Sequence, residues 1–115
     1  MFLPLQITLR NLAHSDTLDA LIRDRADKLQ SFHPRISRCR VTVELAGHQQ
    51  QGKQFIVHVS VKVPGAEIAV DRQHSEDAHI AVRDAFDAAR RQLEDHIRVQ
   101  RGDVKQHRPE RTRAG

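Results

Sequence analysis

At 115 residues, with 38% hydrophobic and 30% charged residues, the chain has room for one domain with a single modest core. No apolar run approaches the roughly 18 residues of a membrane span, and the apolar stretch from Met1 to Leu5 is too short for a secretory signal and lacks its basic flank. The lone cysteine, Cys39, excludes an internal disulfide and fits a reducing, cytoplasmic setting.

The formal net charge of +4 is unevenly placed. Between Arg98 and Gly115 lie six of the 19 Lys and Arg residues but only two of the 15 Asp and Glu residues, so the excess sits in the tail. Arg outnumbers Lys fifteen to four, and the planar guanidinium suits phosphate and carboxylate geometry. Two readings of the tail stay open: an arm that seeks phosphate, or a solubilising end without fixed structure.

In chain order, Leu3, Leu5, Ile7 and Leu9 alternate with polar neighbours and predict a first strand with one apolar face. Ser15 or Asp16 then caps a helix that runs to about Phe32. Its apolar stripe is Leu18, Leu21, Ile22, Ala26, Leu29 and Phe32. Asp19–Arg23 and Asp24–Lys28 are favourable pairs four residues apart, and Pro34 stops the helix. The apolar spacing then drops to two at Cys39, Val41, Val43 and Leu45, marking a second strand over about Ile36 to Ala46. A polar loop from Gly47 to Gly52 follows. The third strand, about Gln54 to Val63, turns Phe55, Val57, Val59, Val61 and Val63 one way and Ile56, His58, Ser60 and Lys62 the other. Pro64-Gly65 predicts a turn into a fourth strand with Ala66, Ile68 and Val70 inward. Ser75 is the expected cap of a long second helix ending near Arg101, with Gly102 as its stop. The stripe of that helix is Ala78, Val82, Ala85, Phe86, Ala89, Leu93 and Ile97.

The order β-α-β-β-β-α, with one apolar face per strand and one stripe per helix, predicts an α+β fold. Its four-stranded sheet packs both helices on one face and turns the other to water. Residues 1–101 are expected to form this domain, and residues 102–115 a basic tail without fixed structure.

The sequence offers little for catalysis or metal binding. Eight His residues are present, but none shows zinc-ligand spacing, and they read as scattered surface groups. Cys39 is in phase with Val41 and Val43, so it reads as a small buried hydrophobe rather than a nucleophile. There is no Gly-rich phosphate loop. The open sheet face carries Arg10, Arg38, Arg40 and Lys62 but no aromatic, which argues against base stacking there. Nucleic acid, if bound, would be held by its backbone through Arg and Lys on helices and ends.

The segment RADKLQSFHPRISRCRVTVEL, residues 25–45, resembles the short-form bacterial ribosome hibernation-promoting factors, or ribosome-associated inhibitors, of the sigma-modulation and ribosomal subunit interface family. The shared pattern is an Arg- and Lys-bearing helix ending in Lys28-Leu29, a short break with Ile36, and a Val-x-Val-x-Leu strand. Asp77, Ala81-Val82, Asp87 and Arg91-Gln92-Leu93 follow the pattern of that family's second helix. Arg25, Lys28 and Arg91 stand where the family has basic residues. Ala88 and Asp95 stand where members usually carry Lys, and His79 replaces a usual Tyr.

The resemblance implies a fold like that of double-stranded-RNA-binding domains. It also implies a non-enzymatic protein that binds the small ribosomal subunit on its rRNA, where mRNA and tRNA would lie, silencing translation and promoting hibernation under stress. No cofactor, small-molecule substrate or membrane is implied, nor the C-terminal domain by which long members pair ribosomes. The candidate RNA-binding residues are Arg25, Lys28, Arg90, Arg91, Arg98 and Arg101. Two other readings remain open. The acidic content of the second helix suits a protein-interaction module on the same fold that has lost the ribosome, and the fold also suits a general double-stranded RNA binder.

Overall fold

A computed structural model describes residues 4–46, 54–74 and 77–101. The elements run β1 (Leu5–Arg10), α1 (Asp16–Phe32), β2 (Arg38–Ala46), β3 (Gln54–Val63), β4 (Ala66–His74) and α2 (Ala78–Arg101). This is the α+β, β-α-β-β-β-α arrangement that the hydrophobic periodicities predict. The strands form one sheet in the order β1-β2-β3-β4. β2, β3 and β4 pair antiparallel, whereas β1 pairs parallel with β2. A parallel neighbour cannot be reached by a tight hairpin, so α1 serves as the crossover between them.

Register turns the alternation of each strand into continuous apolar rows across the sheet. Ile7, Val41, Val59 and Val70 form one row, and Leu5, Cys39, Val61 and Ile68 the next. Most of these side chains are buried, each contributing roughly 2 kcal/mol relative to exposure. Two stripes cover them: Leu18, Ile22, Ala26 and Leu29 of α1, and Ala81, Val82, Ala85, Phe86, Ala89 and Leu93 of α2. α2 packs over β3 and β4, and α1 lies beside it towards β1. The alanines of α2 lack long side chains, so the helix can approach its neighbours closely.

The boundaries have local causes. Ser15 caps α1, its Oγ accepting from the Leu18 N–H at 3.2 Å. The α1 exit is closed by His33, whose N–H donates to the Leu29 and Gln30 carbonyls. At the start of α2, Asp77 acts as the cap: its Oδ1 accepts from the His79 N–H at 2.8 Å. Ser75, the cap expected from the sequence, lies outside the described residues, as do Gly102, the polar loop of residues 47–52 and the tail of residues 102–115. Gly65 has φ +83°, the left-handed value that the Pro64-Gly65 turn demands.

Two positions differ from their expected settings. Phe32 belongs to the α1 stripe by spacing, but Leu29 is the last buried residue of that stripe and Phe32 is 61% exposed. Ser60 belongs to the open face by alternation, yet it is buried, because Glu67 folds over it and accepts its Oγ–H at 2.5 Å.

Leu93→Ala should lower unfolding stability by about 3 kcal/mol, the cost of a buried cavity, measured by urea denaturation. The Cys39 thiol is fully buried and pushed up to about 12 by desolvation. It should therefore ignore a thiol-reactive dye in native buffer and react fully once the chain is unfolded.

Candidate nucleic-acid interface

Because both helices cover the same sheet face, their outward sides lie next to each other. A small cleft of about 70 Å³ runs between them, lined by Arg25, Lys28, Leu29 and Phe32 of α1 and by Phe86, Asp87 and Arg90 of α2. Three of the six expected RNA-binding residues meet here. Arg25 and Lys28 are three residues apart and so share a helix face, and Arg90 arrives from the other helix.

Their electrostatic settings differ. Arg25 is half-buried, its Nε has no hydrogen-bond partner, and it has no carboxylate partner among the described residues. Lys28 Nζ lies 3.3 Å from Asp24 Oδ2, with both side chains more than half exposed, so solvent weakens the pair and it can open to another anion. Arg90 donates from Nε to Glu94 Oε2 at 3.0 Å, and its guanidinium carbon sits 4.9 Å from the centre of the Phe32 ring. That is cation–π distance.

The other three candidates lie elsewhere. Arg91 is one step further round α2 from Arg90, about 100° away; it is exposed and has no carboxylate partner among the described residues. Arg98, seven residues on, shares Arg91's face and is hydrogen-bonded to Asp95. Arg101 ends α2, and its side chain is not among those described. The candidates therefore divide into a groove set and a flanking set. Ala88 is buried and offers no contact to a phosphate.

The open sheet face is occupied by its own pairs. Arg38 reaches Glu67 at 3.5 Å, and His58 meets Asp71 at 2.5 Å. The Ser60 hydrogen bond holds the Glu67 carboxyl below its usual range, with Arg38, Lys62 and Arg40 adding to the shift. Arg10 stands opposite Glu44 in the sheet register. Of Arg10, Arg38, Arg40 and Lys62 on this face, Arg38 is the one held in an ion pair among the described residues.

Two features escaped the sequence reading. Phe32 is an exposed aromatic beside the groove, although its helical spacing marks it as core. His33 and His96, which look like scattered surface residues, line one cavity of about 550 Å³ with Pro34, Arg35, Val63, Pro64, Ile97 and Gln100. Each has a buried Nε2 without a partner. Sixty-three residues separate them, and no local spacing could have joined them. No group of three or more metal-ligating side chains is present among the described residues. Nor is any helix there long and apolar enough to cross a membrane.

A model of the family described as sigma 54 modulation protein / S30EA ribosomal protein matches residues 5–101. The chain belongs to this family of ribosome-associated proteins. Solved structures that share its fold include two whose match covers most of both chains. A ribosomal subunit interface protein from Coxiella burnetii superposes with a TM-score of 0.71 at 20% identity, over 82% of this chain and 97% of that one. The N-terminal domain of Protein Y from Thermus thermophilus gives 0.67 at 22% identity, over 84% and 99%. No curated protein matches the sequence.

Desolvation holds the His33 imidazole below the ordinary histidine value; Glu94 counteracts this and Arg90 reinforces it. In the unfolded chain the ordinary value near 6.5 returns, so the unfolded state takes up its proton first as pH falls. Stability should therefore decline as pH drops through about 6.5 towards the lowered folded value, then level off. His33→Gln should flatten that limb in denaturation curves taken between about pH 7.5 and pH 5.

Proposed function

We propose that this protein is a non-enzymatic, cytoplasmic ribosome-binding factor. It binds rRNA phosphates of the small subunit in the channel used by mRNA and tRNA, blocks translation by occupying that space, and keeps ribosomes in hibernation under stress. Family membership supports the ribosome as partner. The observation that carries the reading is the meeting of Arg25, Lys28 and Arg90 in one interhelical groove, with Arg91 exposed on the adjoining face.

Each of these groups can hold a phosphate oxygen without a chemical step. Arg25 brings a charge that no carboxylate in the described structure neutralises. Lys28 and Arg90 would exchange exposed carboxylates for phosphates, which costs little because such pairs are weak in water. Arg98 would do the same with Asp95, and Arg101 continues the basic run at the end of α2. The mechanism is steric competition, and the charges supply affinity and orientation.

A second reading, a protein-interaction module on the same fold, draws on the exposed carboxylates of α2, Asp84, Asp87 and Asp95. A general binder of RNA duplexes is the third. Sedimentation separates the three. Co-migration with purified small subunits is expected, with affinity falling steeply as salt rises. Arg25→Gln together with Lys28→Gln should weaken binding and reduce the log–log salt slope by about two, one for each phosphate contact. An unchanged slope would remove the groove from the interface. Equal binding to any RNA duplex would favour the third reading, and no co-migration at low salt the second.

A further inference from the structure

Phe32 is the last residue of α1 and is 61% exposed. The chain has four Phe and no Trp or Tyr. Phe86 is buried and Phe55 half-buried, so Phe32 is the exposed aromatic of the described residues. It does not belong to an exposed apolar patch, since the other exposed large hydrophobics, Ile80 and Val99, do not line its cleft. Its exposed surroundings are charged: Arg90 rests against the ring at 4.9 Å, and Arg25, Lys28 and one carboxylate, Asp87, line the same cleft over the buried Leu29 and Phe86.

A protein partner anchored by apolar burial would need a contiguous exposed apolar surface. The cleft's other apolar residues, Leu29 and Phe86, are each only 4% exposed, so Phe32 stands alone as its exposed apolar side chain. An unpaired nucleotide has the matching chemistry. Its base offers a π-face to an aromatic ring, and its phosphate offers oxygens to guanidinium and ammonium groups. The cleft is far too small to enclose a base, so the base would lie over the ring rather than inside a pocket. Arg90 holds the ring from one side and places a cation beside the stack.

We propose that Phe32 is a stacking platform for one unpaired RNA base whose flanking phosphates are held by Arg25 and Lys28. The proposal rests on the rRNA-binding reading and adds to it: the groove recognises an unstacked nucleotide as well as backbone charge.

Phe32→Trp places a single indole in a chain that otherwise has neither Trp nor Tyr, so its fluorescence reports on this position alone. Quenching is expected with purified small subunits and with a short single-stranded oligoadenylate, but not with a blunt RNA duplex. Phe32→Ala should weaken subunit binding about tenfold while leaving the salt slope unchanged, because no phosphate contact is lost. Phe32→Tyr should retain affinity. Phe32→Leu, which keeps apolar area without the π-face, should lose it. The side chain is exposed, so these variants should fold with a circular dichroism spectrum like that of the parent.

Full affinity in Phe32→Leu would indicate apolar docking on a protein and overturn the proposal. So would wild-type affinity in Phe32→Ala, or an unquenched indole in protein that co-sediments with the subunit. Should the parent chain fail to co-sediment, the ribosome reading falls by itself. Quenching by oligoadenylate would still support the platform, and its absence there would overturn it.

Discussion

Burial of the inner sheet face is the constraint on which the rest of the molecule depends. The rows through Val41, Val59 and Val70 and through Cys39, Val61 and Ile68 present a continuous aliphatic surface, and one helix is too narrow to cover four strands. Two helices must therefore lie side by side over the same face. The groove between them follows from that packing: the residues that turn inward make the core, and those at the seam are left facing one another across the cleft. Arg25, Lys28 and Arg90 come together because Leu29 and Phe86, which line the same cleft, are buried beneath them.

The two outer surfaces then take different electrostatic characters. On the open sheet face, cross-strand register brings opposite charges together, as with Arg38 and Glu67 or His58 and Asp71. On the helical side, carboxylates pair locally, three or four residues away, with Lys28, Arg90 and Arg98. Arg25 and Arg91 stand outside these pairings among the described residues. A helix-borne ion pair in water is weak and easily exchanged, so the helical side keeps cations available to a polyanion even though α2 carries many acids. Overall charge on α2 is a poor guide to its surface; the position of each charge around the helix axis decides what a partner would meet.

Much of the fold was legible in the sequence because it rests on local periodicity. The period of two gives β3 its bounds of Gln54–Val63, and Ser15 and Pro34 bracket α1 because a cap and a helix breaker act on adjacent backbone groups. The parallel pairing of β1 with β2 was not legible, since alternation is the same in parallel and antiparallel strands. The site was legible in part. Arg25 and Lys28 share a helix face by spacing alone, whereas their approach to Arg90 requires two helices to dock. Phe32 was misread because helical spacing reports direction around the axis and does not say where the buried contact ends.

The sequence by itself determined the order of elements, the face each one buries and the basic character of the α1 edge, because these depend on side-chain periods of two and three to four residues and on local capping. Hairpin turns already imply that β2, β3 and β4 are antiparallel neighbours; tertiary packing alone decided that β1 lies parallel beside β2. It also assembled the groove of Arg25, Lys28 and Arg90, exposed Phe32 beside it, and brought His33 and His96 into one cavity. Those juxtapositions join residues dozens of positions apart, and only burial of a common sheet face brings them together.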